Sequence, residues 1–206
     1  YLAPGFHSYD FWQQYQTYDV TEALQAGGNA IGFMLGDGWF KGRFGFDGGY
    51  EDLYGDQFRL IAECIVTYED GTEEIIASDD TWEVAEGPLV SSSIYDGEVY
   101  DANLEIDGWN KYSESESAVC WERMQLSDTD TEELHARMSV AVKIVDAFVP
   151  ELIITPAGEQ VLDFKQNMTG WITFSADVPD GTVITYEVGE VLQEDNFYRD
   201  NLRTAE

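Results

Sequence analysis

The sequence predicts an all-β protein: an antiparallel β-sandwich over residues 1–130, then the first strands of a second β-sandwich domain over 138–206. Three observations carry this expectation. Short apolar runs alternate with period two, the signature of strands with one face covered. Nineteen glycines punctuate the 206 residues, separating those runs with turn signals. Only one stretch has helical character.

That stretch comes early. In DVTEALQAGG, Thr21 is a candidate cap and Gly27 a candidate stop after one or two turns. NAIGFML follows, with Ile31, Phe33 and Leu35 on one face. RLIAECIVTY alternates next, placing Leu60, Ala62, Cys64 and Val66 together. TYEDGTEEII is the clearest hairpin, because Asp70-Gly71 can supply the positive φ angles of a tight type I′ turn. Apolar periodicity fails in the charged stretch SDTDTEELHAR, residues 127–137, which marks the boundary. Strands resume at MSVAVKIVDAFVPELII, and TVITYEV alternates with Ile184, Tyr186 and Val188 facing together. Too few strands follow the boundary to close a second sandwich. Both ends read as cut from something longer.

Composition narrows the function classes. The chain is 44% hydrophobic and 14% aromatic, enough for a folded core. Its formal charge of −31 repels phosphate backbones and anionic lipid surfaces, so neither nucleic acid nor membrane is expected as a partner. Cations and neutral sugars are compatible with that field. Two cysteines, Cys64 and Cys120, are too few for a disulfide scaffold and are read as unpaired, with Cys64 a buried thiol. No apolar stretch reaches 18 residues and no signal peptide is visible, so a cytoplasmic location is expected over a secreted one.

The chemistry-bearing residues gather in two loops. LGDGWF carries Asp37 and Trp39 at a strand end. SSIYDGEVYDANL carries Tyr95, Asp96, Glu98, Tyr100 and Asp101. Sugars need a flat aromatic for the ring face and a few fixed polar groups for the hydroxyls, and these residues supply both. Calcium takes six to eight oxygens, which acidic loops also supply. A strand-end loop whose carboxylates bind backbone amides fits the same residues, since Asp37-Gly38 and Asp96-Gly97 are turn dipeptides. All three readings stay open. His7 and His135 sit in no nucleophile motif and are read as exposed polar residues. With 41 acidic residues, carboxylate pairs arise by chance, so none is assigned as a catalytic acid and base. The aromatic runs YDFWQQYQTY and WFKGRFGF fit a surface covered by a neighbouring domain.

Six segments in order add a resemblance. YLAPGF, YQTYDVTEAL, GGNAIGFMLGDGWFKGRFGF, SSSIYDGEVYDA, DFKQNMTGW and EVLQEDNFYRDNLRTAE resemble the N-terminal region of bacterial α-L-rhamnosidases of the inverting type. The resemblance implies a β-sandwich of galactose-binding-like or jelly-roll type, followed by the start of a concanavalin-like domain. It implies chemistry located in an (α/α)6 barrel further along the chain, which this region would support. No catalytic residue is expected within the 206 residues. It also implies rhamnose-containing carbohydrate as a partner, with calcium as a candidate ion beside it. One departure stands out: Lys165 occupies the place where the family usually has glycine.

Overall fold

A computed structural model describes residues 1–45, 48–113, 119–128 and 134–202. The boundary stretch 127–137 falls partly outside these residues, as does Phe46 of WFKGRFGF. The chain divides into two compact units, Tyr1–Ala141 and Val142–Glu206. The fold is all-β, with helix confined to single turns. No helix among the described residues is long and apolar enough to cross a membrane.

In the first unit the strands pair as two-stranded ladders. β1 (Gln13–Tyr15) runs parallel to β8 (Leu134–Ala136). The other ladders are antiparallel: β2 (Glu63–Thr67) with β3 (Glu73–Ala77), β4 (Glu83–Val84) with β7 (Glu122–Arg123), and β5 (Leu89–Ser93) with β6 (Gly97–Tyr100). The β2 alternation appears as expected, with Cys64 and Val66 half-buried on one face and Glu63, Ile65 and Thr67 exposed on the other. Cys64 is thus half-buried rather than buried, and both cysteines are free thiols.

The β2–β3 turn differs from the type I′ expectation. Tyr68 O accepts from Gly71 N at 2.9 Å, Tyr68 N donates to Thr72 O at 2.9 Å, and only Gly71 has positive φ, +82°. This is the five-residue pattern of an ordinary turn closed by a left-handed glycine. Asp70 does not adopt the left-handed conformation. Its Oδ1 accepts instead from Thr72 N at 2.9 Å and Thr72 Oγ1 at 2.6 Å.

Two further expectations change. DVTEALQAGG forms a single 3-10 turn, Thr21–Ala23, and Thr21 is not its cap: Thr21 N donates to Asp19 Oδ1 at 3.0 Å. NAIGFML is extended but joins no ladder. Gly28, Gly32 and Gly36 are four residues apart and lie under Tyr112, Trp109 and the Ser92 side chain, each so close that an added Cβ would overlap them. Phe33 stacks on Trp82 at 6.1 Å between ring centroids. Glycines there make a seat for side chains, so the segment's partners are rings rather than a neighbouring backbone.

In the second unit β9 (Glu151–Ile154) pairs with β10 (Gln160–Asp163), and β11 (Val191–Gln193) with β12 (Asn196–Tyr198), both antiparallel. TVITYEV forms no strand. The type I′ geometry expected at Asp70-Gly71 occurs here instead. Glu194 and Asp195, the two residues between β11 and β12, have φ of +50° and +62°. Lys165 has φ of +64°, the left-handed conformation natural to glycine. Its amide donates to Asp163 Oδ1 at 2.7 Å, and its ammonium meets Asp163 Oδ2 and Glu151 Oε2, each at 3.0 Å.

Among the described residues only His7 and Thr155 are buried, and no apolar side chain is. The densest packing is aromatic, where Tyr9, Phe40 and Tyr54 contact one another and Phe6, Trp39 and Phe44 form a second group. His7 corrects the expectation of an exposed histidine. Its ring lies 4.0 Å from Tyr9 and 5.7 Å from Trp12, and neither nitrogen has a partner in hydrogen-bonding geometry. Burial holds its pKa below the usual value, against weaker opposing pulls from the Gln13 side chain and the backbone at Gly5 and Trp12.

Candidate functional site

The two loops singled out in the sequence meet in space. One short helical turn, α1 (Gly38–Lys41), follows Asp37 and was not anticipated. Glycines at 36, 38 and 42 argue against helix in GDGWFKG. The turn closes because Asp37 O accepts from Lys41 N at 3.0 Å, and it packs beside β5.

Asp37 does not cap this turn with its side chain. Its Oδ2 crosses to β5 and accepts from Ser92 N at 3.0 Å, while Oδ1 pairs with Lys41 Nζ at 3.2 Å. Asp96 lies in the β5–β6 loop. Its Oδ1 accepts from Arg43 Nε at 2.7 Å and its Oδ2 from Ser93 Oγ at 3.1 Å. The same guanidinium donates to Tyr95 O at 3.3 Å and Gly45 O at 3.4 Å, and sits 5.1 Å from the Tyr95 ring centre. The Arg43 side chain is 11% exposed, whereas that of Asp96 is 46% exposed.

Trp39 fits a packed ring better than an open platform. Phe6 lies 5.2 Å away, Phe44 5.9 Å and Tyr95 6.3 Å, with tilted or edge-on geometry. Asp101 Oδ1 accepts from Asn103 N at 3.0 Å and Asn103 Nδ2 at 2.7 Å, holding the 3-10 turn Ala102–Leu104. Tyr100 Oη donates to Glu105 Oε1 at 2.7 Å. That bond, then partial burial and the charges of Glu105 and Glu98, raise its pKa. Glu98 pairs across the ladder with Ser92 and has no hydrogen bond among the described residues.

The structure thus joins Asp37, Trp39, Tyr95 and Asp96 in one cluster and leaves Glu98, Tyr100 and Asp101 along the adjoining strand end. Sequence reading missed Arg43, which organises the cluster from 53 residues away. A signal existed: only 10 basic residues face 41 acidic ones, so a basic residue between two acidic loops was a candidate counter-charge.

Calcium does not fit this arrangement. The oxygens of Asp37 and Asp96 already accept from Lys41, Ser92, Arg43 and Ser93, and two cations stand where a metal would sit. Among the described residues no group of three or more His, Cys, Asp or Glu is placed to hold a metal ion. The carboxylates likewise lack the free, facing pair that glycoside cleavage requires.

Comparison with known proteins places the chain among the β-rich regions of glycosidases. Residues 1–146 match the model of the alpha-L-rhamnosidase N-terminal domain, and residues 153–206 that of the bacterial alpha-L-rhamnosidase concanavalin-like domain. The chain belongs to the alpha-L-rhamnosidase N-terminal domain family. It is 36% identical to an alpha-L-rhamnosidase of Streptomyces avermitilis over 99% of its length, and 33% identical to one of Formosa agariphila over 100%. It covers only 20% and 22% of those proteins, about a fifth of their length. The solved Streptomyces avermitilis alpha-L-rhamnosidase, crystallised with L-rhamnose, superposes on 98% of the chain with a TM-score of 0.71 at 29% identity, the chain covering 20% of it. That of Aspergillus terreus superposes on 82% with a TM-score of 0.67 at 34% identity, again covering 20% of that protein.

Proposed function

We propose that this chain is a non-catalytic β region of an alpha-L-rhamnosidase that removes terminal α-L-rhamnose from glycosides or polysaccharides. In this reading residues 1–130 form its N-terminal domain and 138–206 begin the next, and they brace a catalytic (α/α)6 barrel of the same protein. The observation that carries it is the engagement of Asp37 and Asp96 by Lys41 and Arg43. Carboxylates held in ion pairs position loops; they do not serve as a free acid and base. Relatives five times longer and the many exposed apolar side chains support the same reading.

The test is hydrolysis of an aryl α-L-rhamnoside by the 206-residue chain. No turnover is expected. Turnover that survives purification to homogeneity and disappears in Asp96→Asn would overturn the reading. A second reading, weak contact with a rhamnose-containing sugar at the rim of Trp39, Tyr95, Glu98 and Tyr100, rests on Glu98, which is exposed and free to accept. Titration with L-rhamnose, compared with Trp39→Ala, tests it.

A further inference from the structure

A second candidate site lies away from the acidic loops. A groove of about 380 Å³ opens between the segment after the first 3-10 turn and the segment 110–112, lined by Gln25, Asn29, Asn110, Lys111 and Tyr112 with two alanine methyls. Its volume suits one small ring-shaped ligand.

Both walls are fixed in place. Asn29 accepts from Gln25 N at 3.0 Å through Oδ1, and its Nδ2 donates to Gln25 O at 2.8 Å and Gly27 O at 3.1 Å. Gln25 Nε2 donates to Gly28 O at 3.2 Å, which leaves its Oε1 free to accept. The Tyr112 ring rests on Gly28 so closely that any side chain there would displace it. Meanwhile the Asn110 amide, the Lys111 ammonium and the Tyr112 hydroxyl have no partner among the described residues.

The chemistry of the lining selects the ligand. In a chain with 41 acidic residues, none of the seven lining residues is acidic, so a divalent cation has nothing to bind. Two methyls give too little apolar surface for a lipid or hydrophobic ligand. The field of a −31 chain disfavours an anion. Fixed amides, a hydroxyl and an ammonium beside an aromatic ring match the alternating hydroxyls and C–H face of a neutral pyranose. We propose that this groove is a subsite for a neutral sugar unit. The proposal rests on the carbohydrate-active reading above.

The experiment is a titration of the isotope-labelled 206-residue chain with L-rhamnose, followed by NMR, with D-glucuronate as the charged control. We expect saturable shifts at Gln25, Asn110, Lys111 and Tyr112 in the millimolar range, roughly 1–10 mM. Tyr112→Ala should raise Kd at least about tenfold with the circular dichroism spectrum unchanged, a loss in line with removing a stacked ring. Gly28→Ala, which moves the ring without deleting it, should also weaken binding. Trp39→Ala should leave this binding intact. Binding lost in Trp39→Ala but retained in Tyr112→Ala overturns the groove while keeping sugar contact at the acidic loops. Stronger binding of glucuronate than of rhamnose overturns the neutral-sugar assignment. No shift in the groove residues at about 50 mM rhamnose overturns the subsite, and leaves the hydrolysis test of the non-catalytic role unaffected.

Discussion

Two carboxylates, one in each unit, solve the same problem by different chemistry. In the first unit Asp96 ties the β5–β6 loop to the α1 segment through a guanidinium. In the second, Glu159 ties the β9–β10 turn to the β11–β12 turn through neutral donors. Its Oε2 accepts from Thr155 Oγ1 at 2.7 Å and Phe197 N at 2.9 Å, while Ala157 N donates to Asn196 Oδ1 at 2.9 Å. A cation leaves a charge that needs its partner, and it gathers carbonyls and a ring as well. A hydroxyl and an amide give directional bonds without introducing a positive charge. The difference teaches that acidic loops in a strongly anionic chain need separate local donors, and that those donors set how each loop responds to mutation, salt and pH.

Breaking the cationic clasp should have the largest effect. Arg43→Ala removes a mostly buried guanidinium, two carbonyl contacts and a stacked ring, and leaves Asp96 without its cation. A loss of about 1–3 kcal/mol in the first unit is expected by urea denaturation. Arg43→Lys should recover only part of it, because a point charge cannot donate in three directions. Added calcium or EDTA should leave the wild-type melting temperature unchanged. A calcium-dependent rise would show that a metal, rather than Arg43, organises these loops.

Acid should separate the two units next. The folded pKa of His7 lies below its unfolded value, so the unfolded chain takes up the proton first. Stability that His7 contributes is therefore present above about pH 6.5 and is lost as pH falls through the folded pKa. Tyr9, which contacts the His7 ring, has its pKa pushed up to about 12 by burial and Tyr54, and stays neutral throughout. Glu159 is held below the ordinary carboxylate range by Phe197 N and then Thr155. Its contribution is present above about pH 4.3 and fades only below it. Fluorescence-monitored melting from pH 8 to pH 4 should show the first unit weakening earlier. His7→Phe should flatten that slope, and an unchanged slope would remove His7 as its source.

Smaller still is Thr155→Val, which deletes the hydroxyl donor to Glu159 and the acceptor of Glu159 N at 3.1 Å. It should lower the stability of the second unit by less than Arg43→Ala lowers that of the first, and the loss should change little between low and high salt. Smallest is Lys165→Gly. Glycine relieves the left-handed backbone but loses the contacts to Asp163 and Glu151, both exposed to solvent. The two effects oppose each other, and a melting temperature near that of the wild type is expected.

Particular residues show what was legible. The β2–β3 hairpin was readable because Asp70-Gly71 and the alternation around Cys64 and Val66 are local signals. The type of turn was not, since both versions use the same residues and differ only in which ones take positive φ. Glu194-Asp195 carries the type I′ turn without glycine or asparagine, so no sequence rule pointed to it. NAIGFML and TVITYEV alternate, but alternation describes a face and cannot supply a hydrogen-bonding neighbour. At the candidate site the acidic and aromatic residues were found, but their partners were not.

The sequence by itself determined the all-β class, the acidic field that excludes phosphate partners, the loops where carboxylates and rings gather, and the family. These follow from composition, period-two patterning and motif order, all properties of neighbouring residues. Only the tertiary structure decided that Arg43 reaches Asp96, that Asp37 crosses to Ser92, that His7 is buried, and that Gly28 seats Tyr112 beside a groove. Each of these depends on where the chain brings residues together across long separations. A carboxylate has the same lone pairs whether it will meet a sugar, a metal or a guanidinium, and its neighbours in space determine which.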